Sequence, residues 1–127
     1  MAKKISNAND KSYARLIQEP KFAEMLGEFL IEGEQVVDSL KSAKEGVVFT
    51  TKRIIICNAS GFLGKKKEFN SVPFNRINTF VLSTAKDLES HAKLDLGFFG
   101  TPNLHFEFAG KSEVKLIMKY ISEAVLK

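Results

Sequence analysis

The sequence predicts a mainly β domain of the α+β class. We expect seven antiparallel strands in a strongly bent sheet or partly open barrel, with short N-terminal helices and a capping C-terminal α-helix. Three observations support this. From Glu34 onward apolar residues recur with a period of two, as in strands with one buried face. The connections are too short for helical crossovers, which favours antiparallel pairing. The last segment returns to the spacing of an amphipathic helix.

The N-terminal region is predicted to be helical, so that residues 1–33 form an extension and residues 34–127 form the β domain. Apolar side chains between Asp10 and Leu30 recur at helical spacing. Pro20 divides this pattern into two short helices, because proline is not tolerated in a helix interior. The pattern leaves open whether these helices pack on their own barrel or on a neighbouring molecule.

Seven strands follow from runs of β-branched and aromatic residues bounded by Gly, Asn, Ser and Pro. The predicted ranges are 35–41, 45–50, 53–58, 66–72, 77–84, 92–98 and 104–109. Alternation is clearest in the last two, where leucine or phenylalanine occupies every second position and one face should be buried. The final helix is predicted over 112–126 with Ser112 as its N-cap, because serine can accept a hydrogen bond from a free N–H of the first turn.

Composition narrows the functional classes. The chain has 127 residues and is 44% hydrophobic, which is enough for one self-sufficient core. Its net charge of +4 comes mainly from lysine, whereas nucleic-acid sites favour arginine, so no nucleic-acid partner is predicted. The single cysteine, Cys57, excludes an internal disulfide. Since neither a signal peptide nor an apolar membrane span is apparent, a cytoplasmic location is expected.

Five short motifs in order along the chain carry a resemblance to a known family. They are Gly33-Glu34, VFTTKRII at 48–55, GFLGKK at 61–66 and VPFNRI at 72–77, followed by Leu94-Asp95-Leu96. Together they resemble the bacterial pleckstrin homology family over about residues 30–126, although Asn58 and the glycine-rich segment 97–100 depart from its pattern. The resemblance implies a pleckstrin-homology-like fold. Because some members form ring-like homo-oligomers, it also implies self-association through sheet edges.

Lysines form the most prominent charged cluster. Lys65, Lys66 and Lys67 are consecutive, and the residues that could join them in a patch for anions or a membrane surface are Lys44, Lys52 and Arg53. In eukaryotic pleckstrin homology domains a basic loop between the first two strands holds inositol phosphates. The matching connection here, 43–45, is short and carries one Lys beside one Glu. Since lysines on a strand alternate between faces, a solvated strand end is the simpler interpretation.

No catalytic, cofactor-binding or metal-binding residue is predicted. Gly110-Lys111-Ser112 resembles the end of a phosphate-binding loop, but the glycine that such a loop needs five residues earlier is His105. The two histidines, His91 and His105, have no partner at metal-ligand spacing, and His105 is expected to be a surface residue. Cys57 is expected to pack within a strand. We therefore predict a protein that is not an enzyme.

Outward-facing aromatic residues are the better candidates for function. Phe99 comes directly after Phe98, which continues the buried face of its strand, so Phe99 should point outward. Phe62 and Leu63 lie in a turn. Exposed aromatic residues near strand edges are typical of partner contacts. The alternative is that the N-terminal helices or the loops cover them. The predicted function is an interaction or scaffold module that self-associates, and the alternative is a module for membrane surfaces or anionic ligands.

Overall fold

The chain folds around one bent antiparallel-rich sheet. The structure, a computed structural model, describes residues 9–60, 66–84 and 91–127. The strands within these ranges are β1 (Lys11–Gln18), β2 (Val36–Lys41), β3 (Gly46–Thr50), β4 (Arg53–Ser60), β5 (Lys66–Pro73), β6 (Ile77–Thr84), β7 (Ala92–Phe98) and β8 (Leu104–Phe108). The helices are α1 (Lys21–Leu26) and α2 (Val114–Val125), with 3-10 turns at Gly27–Phe29 and Phe74–Arg76. The strand order is β5-β4-β3-β2-β1-β8-β7-β6, so β5 and β6 are the two edges.

All seven predicted strands occur, and the prediction of a helix before Pro20 is wrong. The segment 11–18 is strand β1, which lies in the middle of the sheet between β2 and β8. The misleading spacing has a local cause. A bulge shifts the register between Tyr13 and Leu16, and Arg15 within it has a φ of 56°. Because the bulge adds a residue, two side chains three positions apart both reach the core, which imitates a helical period.

The pairing of β1 also corrects the prediction of a purely antiparallel sheet. It runs antiparallel to β2 and parallel to β8. A parallel pair needs a long connection. Here the connection between β1 and β8 comprises most of the chain. The short loops between neighbouring strands therefore give no sign of this parallel pairing. Residues before the predicted boundary at 33 therefore supply a strand of the same sheet.

Helix α1 is the second of the two predicted N-terminal helices, and it packs on its own sheet. Leu26 forms a buried cluster with Val48 and Ile55, and Phe22 packs against that cluster. A Cβ atom at Gly46 would lie 2.4 Å from the Phe22 ring, so glycine allows this close approach. With α1 on one side and the main core on the other, β3 is buried along its whole length.

The main core lies on the concave side of the sheet and is closed by α2. The Phe49 ring lies 5.3 Å from that of Phe106. The buried face of α2 is the predicted stripe, with Val114, Ile117 and Ile121 fully covered. The prediction that Ser112 caps this helix is wrong, since its Oγ is buried without a hydrogen-bond partner among the described residues.

Candidate functional site

The turn between β3 and β4 is held by a buried hydroxyl. The Thr50 Oγ1 atom accepts hydrogen bonds from the backbone N–H groups of Lys52 and Arg53, both at 3.0 Å. Thr50 in turn donates to the Glu34 carboxylate at 2.6 Å. Both Thr50 and Glu34 are buried. This network gives a structural reason for the threonine at the end of β3 and for the acidic residue after Gly33.

Arg53 belongs to the same network and is not a free basic group. Its Nε donates to Glu34 Oε2 at 2.8 Å and its Nη2 donates to Oε1 at 3.1 Å. The guanidinium also donates to the Phe29 carbonyl and to the Ser71 hydroxyl, each at 3.0 Å. Burial alone would raise the pKa of Glu34. The hydrogen bonds from Arg53 and Thr50 outweigh burial, and the pKa is lowered.

The structure divides the predicted basic patch. Lys44 lies in the β2–β3 connection and Lys52 in the β3–β4 turn, at opposite ends of β3. Lys67 lies at the Lys44 end, because its neighbour Phe69 pairs with Cys57, which in turn pairs with Gly46. Lys66 and Lys67 point to opposite faces of β5 and both are exposed. Lys65 falls outside the described residues.

Lys44 and Lys67 line a groove between α1 and the outer face of β4 and β5, together with Lys21. We call this the α1–β5 groove; its volume is about 330 Å³, and its lining includes Lys21, Phe22, Met25, Lys44, Lys67 and Phe69. The Lys21 Nζ atom lies 5.5 Å from the centre of the Phe22 ring. Sequence reasoning missed the residues from α1, because their helical spacing was interpreted only as a packing stripe.

Exposed aromatic side chains follow the β5 edge. Phe69 is 39% exposed and Phe29 is 53% exposed, and their rings lie 5.6 Å apart. Met25 is 37% exposed beside them in the α1–β5 groove. Phe99 is 88% exposed in the β7–β8 connection and points outward as predicted. Phe62 and Leu63 lie outside the described residues.

His105 lies on the polar face of β8, but it is not a free surface residue. Its Nδ1 atom is 2.6 Å from Asp95 on β7, and its Nε2 atom is 3.2 Å from Asp10 at the start of β1. Ser12 stands opposite His105 in the β1–β8 register, which places a serine, a histidine and an aspartate in one row. Since both ring nitrogens face carboxylates, His105 links β1 to β7 and presents no open nitrogen to Ser12.

Cys57 is a packed strand residue, as predicted. It is buried, and burial raises the pKa of its thiol to about 11. In the described ranges no group of three or more His, Cys, Asp or Glu side chains is placed to hold a metal ion. None of the helices in that part of the chain is long and apolar enough to cross a membrane.

Comparison with known sequences agrees with this fold. The sequence profile of the family described as "Bacterial PH domain" matches residues 8–125. The chain is also 32% identical over 120 residues to the uncharacterized protein YjqA of Bacillus subtilis (strain 168), a match that covers 93% of this chain and 91% of that protein. The profile match over residues 8–125 includes β1, which lies outside the motifs that carry the resemblance in the sequence.

Two solved structures of similar architecture come from Shewanella species. A DUF1696 family protein with a pleckstrin-homology domain from Shewanella loihica PV-4 matches with a TM-score of 0.65 and 29% identity, over 88% of this chain and 97% of that one. A pleckstrin homology domain from Shewanella amazonensis SB2B matches with a TM-score of 0.55 and 30% identity, over 90% of this chain and 93% of that one. With its strand order, capping helix and matching profile, this chain belongs to the bacterial PH (pleckstrin homology) domain family.

Proposed function

We propose that this protein is a cytoplasmic, non-enzymatic interaction module that self-associates through the exposed edges of its sheet. The observation that carries the proposal is the β5 edge with its exposed aromatic pair, Phe29 and Phe69. An edge strand offers unpaired backbone N–H and C=O groups to another strand, and exposed aromatic residues beside it favour a partner contact. Edge and aromatic pair together supply both backbone hydrogen bonds and apolar surface.

The other edge supports head-to-tail association. Strand β6 has an uncharged sequence, INTFVLST, and Val81 on it is 56% exposed. Strand β5, by contrast, carries two lysines and a glutamate. Pairing β5 of one copy with β6 of the next avoids placing like charges opposite each other. Because such a contact uses two different surfaces, it generates a ring if the rotation between copies closes.

The test is the mass of the protein in solution. Multi-angle light scattering at high micromolar concentration should give a multiple of the single-chain mass. Phe69→Lys on β5 and Val81→Lys on β6 should each shift the mass toward one chain. Leu116→Lys is the matched control, because Leu116 is also exposed but lies on α2. A single-chain mass for the unmodified protein would overturn the proposal, as would an equal effect of all three substitutions.

The alternative function is contact with an anionic membrane surface. It is supported by the exposed lysines at one end of the β3–β5 sheet, Lys44, Lys66 and Lys67. Each lysine near such a surface contributes on the order of 1 kcal/mol, and the attraction weakens with salt. Co-sedimentation with anionic vesicles should decrease for Lys44→Glu/Lys67→Glu. Lys52→Glu, at the other end of β3, should have a smaller effect. Absence of binding at low salt would exclude this alternative.

A further inference from the structure

The α1–β5 groove combines an apolar floor with a basic rim. Three apolar side chains, Phe22, Met25 and Phe69, lie at the groove, and Met25 and Phe69 are each more than a third exposed. Ligand sites for small molecules are usually concave and mainly apolar, with a few polar groups that orient the ligand. At about 330 Å³, this groove is at the small end of the usual range of about 300–1,000 Å³ for such sites.

The charge at the rim has one sign. Lys21 from α1, Lys44 from the β2–β3 connection and Lys67 from β5 reach the groove from three different elements. Among the described residues that line it, none is acidic. Glu68 points away, because it follows Lys67 on the strand and lies on the other face of β5. The groove therefore offers positive charge that its own described lining does not neutralise.

From this combination we propose that the α1–β5 groove binds a small anionic amphiphile, a molecule with one carboxylate or phosphate group on a short hydrocarbon chain. The hydrocarbon lies against Phe22, Met25 and Phe69. The anionic group lies between the ammonium groups of Lys44 and Lys67. Neither feature alone selects this class: an inorganic anion would leave the aromatic floor uncovered, and an uncharged hydrocarbon would leave the lysines unpaired. The proposal does not depend on self-association, since the ligand contacts one copy of the chain.

The experiment uses decanoate as the probe and the methionine methyl groups as reporters. In a methyl NMR titration of the full-length protein, the Met25 signal should shift with decanoate. The Met118 signal should stay in place, because Met118 packs against the main core on α2. Acetate tests the anionic group without the chain, and decyltrimethylammonium tests the chain with the opposite charge. Both should bind at least about tenfold more weakly than decanoate, a difference of about 1.4 kcal/mol.

Two neighbouring lysines provide a matched pair of variants. Lys67→Glu should weaken decanoate binding about tenfold, and Lys66→Glu should change it by no more than about twofold. The two substitutions change the net charge equally and lie at adjacent positions on opposite faces of β5. Both positions are exposed, so both variants should fold, which far-ultraviolet circular dichroism can verify.

Three outcomes would overturn the proposal. The first is a Met25 signal that does not respond to decanoate. The second is an equal loss of binding in both lysine variants, which would mean general attraction to a basic surface. The third is binding to anionic phospholipid vesicles but not to monomeric decanoate, which would mean contact with a membrane. Light scattering on the same samples measures self-association independently of decanoate binding. Either proposal can therefore fail while the other holds.

Discussion

The carboxylate of Asp38, on β2, accepts a hydrogen bond from the backbone N–H of Glu113 at the start of α2, with 2.7 Å between Oδ2 and the nitrogen. The first N–H groups of a helix have no partner within the helix, so Asp38 supplies the cap that Ser112 does not. Asp38 also accepts from the side chain of Gln18 at 3.1 Å. One buried carboxylate thus joins β1, β2 and α2.

Loss of this cap should destabilise the protein. We expect Asp38→Ala to lower the free energy of unfolding by about 1–2 kcal/mol, since a lost N-cap costs about 0.5–2 kcal/mol and both the Glu113 N–H and Gln18 would lose an acceptor. Urea unfolding followed by circular dichroism measures the change. Asp38→Asn keeps one acceptor oxygen and should lose less. Equal stability of Asp38→Ala and the unmodified protein would show that the contact contributes nothing.

The buried ion pair of Glu34 and Arg53 should make stability depend on acid. Removing one partner of a buried pair costs about 3–5 kcal/mol. Because the Arg53 side chain keeps 23% exposure, we expect about 2–3 kcal/mol for Glu34→Gln at neutral pH. The pKa of Glu34 is lowered on folding. Its contribution is therefore fully present above the ordinary Glu pKa of about 4.3 and is lost as pH falls through the lowered value.

Urea unfolding of the unmodified protein and of Glu34→Gln, across acidic and neutral pH, measures this effect. The difference between them should narrow toward strong acid. Asp38 should act in the opposite sense, because burial, which outweighs its hydrogen bonds, raises its pKa on folding. Its folded form takes up a proton more readily, so stability should decrease as pH rises from about 3.9 through the raised pKa. Asp38→Asn should remove that decrease. A pH-independent difference for Glu34→Gln would contradict the first part.

Thr50 should be sensitive to loss of its hydroxyl but not to loss of its methyl group. Thr50→Val has nearly the same shape, but it removes the acceptor of the Lys52 and Arg53 N–H groups and one of the donors to the buried Glu34 carboxylate. We expect a loss of about 2–3 kcal/mol, since unsatisfied buried groups cost about 1–3 kcal/mol. Thr50→Ser keeps the hydroxyl and should retain most of the stability. Thermal unfolding would measure both, and a greater loss for Ser than for Val would refute this role.

Gly46 should tolerate no side chain. Gly46→Ala would place a Cβ within 2.4–2.6 Å of the Phe22 ring, so the ring and part of α1 must shift. Overpacking of this kind costs about 1–3 kcal/mol. Gly110→Ala is the control, because a Cβ there meets nothing within 4 Å. Urea unfolding should show a clear loss only for Gly46→Ala, and similar losses for the two would rule out a specific contact.

Cys57 should be unreactive in the folded protein. The thiolate is the reactive form, and with a pKa of about 11 it is scarce at neutral pH. Iodoacetamide at pH near 8 should therefore modify Cys57 slowly in buffer and rapidly in urea, as followed by mass spectrometry. Because folding raises this pKa, the unfolded chain loses the thiol proton more readily than the folded one. Stability should therefore decrease as pH rises above the ordinary cysteine pKa of about 8.5. Fast modification without denaturant would contradict both burial and the raised pKa.

Much of the fold could be predicted because its signals are local. The period of two in 92–98 and 104–109 reflects burial on one face of each strand, and Lys115 and Lys119 lie off the buried stripe of α2 as expected. Exposure of Phe99 follows from the same alternation. The candidate site was predicted only in part: Lys44 and Lys67 were proposed, whereas Lys21, Phe22 and Met25 were not.

The amino-acid sequence by itself determined the seven strands from Val36 onward and the C-terminal helix, since alternation and turn residues act within a few positions. Tertiary structure decided what depends on distant pairing. It made 11–18 a central strand, because the segment pairs with β2 on one side and with β8 on the other. It joined Arg53 to Glu34 and separated Lys52 from Lys67, because strand register, which no local period encodes, sets which side chains meet.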